Sequence, residues 1–259
     1  MRWNRFVLAL PCAALFLQSC GSDATETYFD NGALKERWHE TKNADGVLVK
    51  NGVYERFDEK GTRRDSTFYD MGKISGIRMT WDSQGKLETR SEWVSGKNNG
   101  TYQEWDGNGK LRHEIHFKQG IQDGSETTWN KKGIKIEEVF FKDGRKDSVY
   151  QRWNDEGLLK QISHYTLGKL NGEEKIWCEE EKYKDVIREQ RTFVMGKREG
   201  LEVYYLCLDG SKSSMLTWKN DQMDGPYTYW EEGKKVVERY KEGKCVANCP
   251  KPPPPPPQE

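Results

Sequence analysis

The chain carries no excess charge of either sign. Its 259 residues hold 42 lysines and arginines against 42 aspartates and glutamates, and removing Arg2 and Arg5 with the N-terminal segment leaves an excess of two acids. No basic footprint for nucleic acid remains. Aliphatic side chains are also scarce: hydrophobic residues make up 34% and mean hydropathy is -1.00. A compact two-layer core of this length needs more of them. There are four histidines. His113 and His116 stand three apart on a strand, face opposite sides and cannot share a metal, while His39 and His164 belong to no nucleophile pattern. Acids such as Glu104, Glu114 and Glu126 are spread evenly, without a paired site or a motif. Nothing supports a hydrolase, a cofactor or a metal, and the chain reads as a non-enzyme.

Glycine and aromatic residues, by contrast, are abundant and in phase. From Gly100, steps of 24 residues meet Gly52, Gly76, Gly124 and Gly172, with Ser148 alone breaking the series. An aromatic follows five residues later at Phe57, Trp81, Trp105, Trp129, Trp153 and Trp177. A second glycine and a second aromatic keep the same step, the latter at Tyr69, Trp93, Phe117, Phe141 and Tyr165, each three residues before another glycine. A fixed period in this range signals a repeat array.

Each unit reads as two short strands and two turns. In TYQEW, Tyr102 faces one side while Thr101, Gln103 and Trp105 face the other. Asp106-Gly107-Asn108-Gly109 supplies a carboxylate that bonds the backbone two residues on, then a glycine for the left-handed position that closes the turn. The returning strand places Leu111, His113, Ile115 and Phe117 on one face, and the segment ending at Gly120 turns into the next unit. Connections this short permit only antiparallel pairing. The expected fold is all-β: an elongated single-sheet meander of about eight hairpin units, solvated on much of both faces, with stability accumulating unit by unit.

The ends depart from the pattern. Residues 1–19 read as an export signal, with Arg2 and Arg5 before an apolar run too short to span a bilayer. The run ends in Leu17-Gln18-Ser19-Cys20, which resembles a bacterial lipobox with Cys20 as the lipidated residue; an ordinary signal peptide or an uncleaved anchor is the alternative. Gly21-Ser22, with no aspartate directly behind the cysteine, resembles the outer-membrane sorting of Gram-negative lipoproteins. The expected division is a linker over 20–27, the array over 28–245 and a proline-rich tail over 246–259. Pro252 to Pro257 form an extended polyproline segment, either a docking peptide or a stiff solvated end. Within the array, the first unit is stretched, with Asn43 to Gly46 as its second turn, and CEEEKYKDVIREQR after Trp177 is an insertion lacking the turn glycine.

The unit G-x-Y-x-x-W-x-x-x-G-K-L-x-x-x-x-x-F-x-x-G-K-x-D resembles the bacterial variant of the MORN repeat (membrane occupation and recognition nexus) found in YwqK-type antitoxin components. Gly109-Lys110-Leu111, Phe117 and Gly120 carry the match best, followed by Gly85-Lys86-Leu87, Trp93, Gly96 and Lys97. The resemblance implies an elongated repeat sheet that binds other macromolecules without catalysis. A lipidated, exported copy cannot meet a cytoplasmic toxin, so an envelope immunity or scaffold role is the form of the antitoxin reading that survives.

Two sets of residues stand out as site candidates. Trp81, Trp105, Trp129, Trp153, Trp177 and Trp230 occupy equivalent places and form a ladder with rungs roughly 9 to 10 Å apart if units stack in register. Such a row either stacks on a glycan or peptide side chains, or packs on Phe117, Phe141 and their equivalents to hold the sheet. Cys12 leaves with the signal, so Cys178, Cys207, Cys245 and Cys249 form an even set in an oxidising compartment. Three pairings are open. Cys245 with Cys249 closes a small loop; Cys178 with Cys207 requires the inserted loop to bend over, because strands two apart exceed the Cα reach of about 7 Å. The partner classes are a protein, first, and a glycan or cell-wall component, second, with the membrane reached through the N-terminal lipid.

Overall fold

The computed structural model describes residues 24–250. The export signal, Cys20 and the run Pro252 to Pro257 lie outside the described residues. One open antiparallel sheet of 22 strands runs from Thr25–Tyr28 to Lys244–Ala247 as a meander, with three of its strands interrupted into two segments that pair with the same preceding strand, as Lys169–Leu170 and Gly172–Trp177 do with Leu159–Thr166. A separate short hairpin joins Glu40–Lys42 to Leu48–Lys50 around the turn at Asn43. The array is slightly longer than the sequence pattern indicates. Thr25 to Tyr28 pair with the strand Leu34–Trp38, and Ala247 pairs with Arg239, so the ends of the expected linker and tail are strand.

Two turn chemistries alternate. At Asp106 the first type closes with Asp106 N donating to Lys110 O at 2.9 Å and Gly109 N donating to Asp106 O at 2.8 Å. The Asp106 Oδ1 also accepts from Asn108 N at 2.9 Å and Lys110 N at 3.1 Å. Asn130 and Asn154 do the same work as amides. The second type is a two-residue turn such as Gln119-Gly120, left-handed at both residues with φ of 52° and 84°. That twist matches the flanking strands.

Units are tied to each other at these second turns. Gly120 N donates to Asn98 O at 2.7 Å, Gly144 N to Gln122 O at 2.9 Å, and Gly168 N to Lys146 O at 2.8 Å. A side chain helps: Asn99 Oδ1 accepts from Gln119 N at 3.0 Å, and Asn171 Oδ1 from Met195 N at 3.1 Å. The residues Asn51, Asn99, Asp123, Asp147 and Asn171, each just before the first position of a unit, are therefore turn caps reaching into the next unit.

Face assignment differs from the simple alternation at one place. Leu111 pairs with Trp105 but His113 pairs with Glu104, so Arg112 is the extra residue of a β-bulge. Leu111 therefore shares a face with Trp105, not with His113, Ile115 and Phe117. The same shift recurs beside Trp81, Trp129 and Trp153. A bulge inserts one unpaired residue and restarts the alternation on the other face. The front face carries Tyr102, Ile115 and Phe117; the back face carries Thr101, Gln103, Trp105 and Leu111.

Burial is thin. Among the described residues the buried apolar ones are Val139, Cys178, Phe193 and Val203. The front face buries Thr67 at 2%, Ser91 at 5%, Val139 at 4% and Ser163 at 0% exposure in one column that follows the unit step, with Ile115 half-buried at the remaining place.

Candidate functional site

The six ladder tryptophans all lie on the back face, at the strand ends next to the first type of turn. Phe117 and Phe141 stand on the front face, directly opposite Gly100 and Gly124. The tryptophans therefore do not pack on those phenylalanines, because the sheet itself lies between. Their companions are the residues across the strand: Leu87 for Trp81, Leu111 for Trp105, Lys135 for Trp129, Leu159 for Trp153 and Ile187 for Trp177. Cations from the preceding unit cover two rings. The Arg63 guanidinium lies 4.2 Å from the Trp81 ring centroid and Lys135 Nζ 4.5 Å from that of Trp153. Such stacking over a ring face is favourable. Of the six, Trp230 is the exposed one, at 39%, and it pairs with Lys235 in a strand without the bulge.

After Trp177 the chain makes a short 3-10 turn, Glu181–Tyr183, and Cys178 N donates to Val186 O at 3.0 Å. Cys178 is buried to 1% and bonded to Cys207, with their Cα atoms 5.8 Å apart. The loop thus bends over the intervening strand. Lys160, the bulge residue of its strand and fully buried, donates its Nζ to the Cys178 carbonyl. The bridge fixes the loop containing Leu206 and Leu208, whose exposures are 49% and 73%. Leu206, Ser211, Lys212, Ser213, Trp230 and Gly233 line an open hollow of about 630 Å³ beside them. Sequence reasoning named Trp230 and both cysteines but not the leucines, which become significant only when the bridge holds them outward.

On the front face behind this region lies a polar cluster that the sequence pattern did not reveal. Arg191 Nε is 2.5 Å from Glu174 Oε2, and its Nη1 is 2.6 Å from Glu189 Oε1 and 3.7 Å from Glu202 Oε1. Trp218 Nε1 and Tyr204 Oη donate to Glu202 at 2.5 and 3.1 Å. Burial, followed by the charges of Glu189 and Glu202, pushes the Tyr204 phenol up to about 12. Burial also raises the Glu189 carboxyl. One cation thus organises three nearly buried carboxylates, a structural knot in place of an apolar core.

The remaining candidates separate. Cys245 is bonded to Cys249 at the last strand, where Asn248 Nδ2 donates to Val237 O at 3.1 Å. His113 Nε2 sits 2.8 Å from Glu126 on the front face, and His116 Nδ1 donates to Ser125 O at 3.0 Å on the back. Among the described residues no group of three His, Cys, Asp or Glu is placed to hold a metal, and no helix is long and apolar enough to cross a membrane.

Fold and site define a class: an open, single-layer antiparallel sheet of hairpin repeats whose most exposed large apolar side chain among the described residues, Leu208, stands in a disulfide-held tip. No family model matches the chain, and no curated protein matches it.

Proposed function

We propose that the chain is a MORN-type repeat protein, exported and lipid-anchored through Cys20, that works as a non-enzymatic recognition scaffold for a protein, in the manner of an envelope antitoxin or immunity factor. The observation that carries the reading is the tip formed by Leu206, Leu208 and Trp230. Large apolar side chains held outward by a covalent bridge lose little freedom on binding, which is what interface anchors require. The hairpin-repeat sheet agrees with the family resemblance. The tryptophan ladder supports a glycan platform less well, since leucines, an isoleucine and cations stand across from its rings.

The test is crosslinking in intact cells followed by affinity purification and mass spectrometry. Native protein is compared with Leu208→Ser, Trp230→Ala and a Trp105, Trp129 and Trp153 to Ala variant, each checked for folding by circular dichroism. One protein captured by native chain and lost with Leu208→Ser and Trp230→Ala is the expected result. Capture lost only in the triple variant moves the surface to the ladder, and binding of soluble oligosaccharide without any protein overturns the reading. Cys20→Ala is expected to release the protein from the membrane fraction.

A further inference from the structure

Overall neutrality conceals a sorted surface. Beside the two-residue turns along one long edge, one residue pair of each hairpin flanks the turn on the back face. These pairs include Val94 with Lys97, Lys118 with Ile121 and Lys142 with Arg145. Farther along come Thr166 with Lys169, Val194 with Lys197 and Lys241 with Lys244. With Asp70–Lys73 and Lys219–Gln222, sixteen positions carry ten basic residues and one acid. All ten are exposed. Among the described residues only Lys241 has an ion-pair partner, Asp224 at 3.0 Å.

The stripe is built, not scattered. A side chain at Gly120 would begin 3.6 Å from the Lys97 Cβ, and one at Gly196 would begin 3.7 Å from the Lys169 Cβ. The turns at Gly96, Gly120, Gly168 and Gly196 back onto Lys73, Lys97, Arg145 and Lys169 of the unit before, and the turn at Gly144 onto Ile121, so the stems stand in line, one step per two strands or roughly 9.5 Å. Of the acids beside the stripe, Asp123 and Asp147 accept from the turn N–H groups of Asp143 and Leu167 at 3.3 Å each, while Asp143, Asp221 and Glu242 are exposed within the turns themselves, fewer than the cations they accompany. The turns require glycine and left-handed φ, which lysine does not supply, so the nine cations with no ion-pair partner among the described residues raise self-repulsion without helping the fold.

We infer that this stripe docks an acidic protein surface carrying apolar side chains between its charges. The inference rests on the protein-recognition reading and adds a second surface, on the opposite long edge from Leu208. Charge complementarity selects an anion. Val94, Ile121 and Val194 are exposed or edge-lying between the lysines, and an anionic polysaccharide offers them nothing to bury against. They are also shorter than the lysines, so a flat lipid surface meets the ammonium groups first, whereas a protein surface can reach between them.

The experiment uses full-length protein and fluorescence anisotropy with three probes: a labelled peptide repeating Glu-Glu-Val, one repeating Glu-Glu-Gly, and vesicles of phosphatidylglycerol and phosphatidylcholine. One variant joins Lys97→Gln, Arg145→Gln, Lys169→Gln and Lys197→Gln. Its control removes the same charge from the other edge through Lys60→Gln, Lys131→Gln, Lys132→Gln and Lys184→Gln. Expected is salt-sensitive binding of the valine peptide, weaker by about tenfold for the glycine peptide and for the stripe variant, and changed less than about twofold by the control. No peptide binding at about 20 mM salt, equal losses in both variants, equal affinity for both peptides, or vesicle binding alone would each overturn the inference. Leu208-dependent capture in cells would survive any of these, so failure here is distinguishable from failure of the recognition reading.

Discussion

Replacing Gly124 by alanine tests the unit geometry most directly. Gly124 has φ of +122°, and an added Cβ would lie 2.8 Å from the Cβ of His116 on the preceding strand. A Cβ cannot swing away as a side-chain tip can, and the imidazole is held by its bond to Ser125 O at 3.0 Å. The backbone conformation costs an ordinary residue about 1–3 kcal/mol, and overpacking adds about 1–3 kcal/mol. Gly133→Ala is the comparison: φ is +85° and nothing lies within 4 Å of an added Cβ, leaving only the left-handed cost of about 1–2 kcal/mol. Ser148 shows how the slot accepts a side chain, by moving to φ of 68°; Ser148→Gly should change stability by less than about 0.5 kcal/mol, relief of strain offsetting lost stiffness of the unfolded chain. Thermal unfolding by circular dichroism should lower the midpoint by about 5–15 °C for Gly124→Ala and by about 3–6 °C for Gly133→Ala. Hydrogen exchange over the strands Ile121–Trp129 and Lys135–Lys142 checks that the loss is local to the unit, because arrays need not unfold in one step. Equal losses in the two variants would refute the close approach.

Arg191→Met should cost about 3–5 kcal/mol near neutral pH, because Glu174, Glu189 and Glu202 are left buried without their cation. Burial already raises Glu189, so its folded form holds a proton more tightly than the unfolded one; stability of the variant should recover as pH falls through the carboxylate range, read by urea unfolding. The sign is opposite at the turns. Backbone N–H groups of Lys86 and Gln84 lower the Asp82 carboxyl, and the Lys110 N–H, against some burial, leads in lowering that of Asp106. Their stabilisation is present above the ordinary carboxylate range and is lost as pH falls through the lowered values. Asp82→Asn with Asp106→Asn should leave the midpoint at pH 7 unchanged, as Asn130 and Asn154 indicate, and flatten its fall in acid. Deleting residues 100–123 should leave a shorter folded sheet, while deleting 100–110 removes one strand, reverses the direction of every later strand and should abolish folding; equal circular dichroism losses would defeat the 24-residue unit.

Much of the architecture was legible because turns are local. Asp106, Gly109 and Gly120 declare their hairpins through chemistry that needs no tertiary partner, and the 24-residue step propagates them. The cap before each of several units was not read from the sequence, although Asn51, Asn99, Asp123, Asp147 and Asn171 keep the period with Ser75 as the exception, because the group each one caps lies in the next unit's turn. Nor was the bulge at Arg112, since no residue type marks it, and it alone moves Leu111 beside Trp105. The Arg191 cluster was hidden for a different reason. Its glutamates look like any solvated strand residues until three adjacent strands bring them around one guanidinium.

The site was less legible than the fold because the two answer to different constraints. A sheet one layer thick buries little, so folding fixes the turn residues, the glycine slots and the aromatic columns and leaves most other positions free. Leu208 is among the free ones: no turn chemistry calls for a leucine exposed to 73%, and only the Cys178–Cys207 bridge gives it a fixed place. The lysines beside Gly96, Gly168 and Gly196 are free in the same sense, because left-handed turn backbones need the glycine and not its neighbour. Composition sums over all such positions, so a basic edge and acids elsewhere cancel to zero net charge. Once the register assigns each residue to a face and an edge, the cancellation is undone, and a bias that folding does not require remains to be accounted for by what the surface meets.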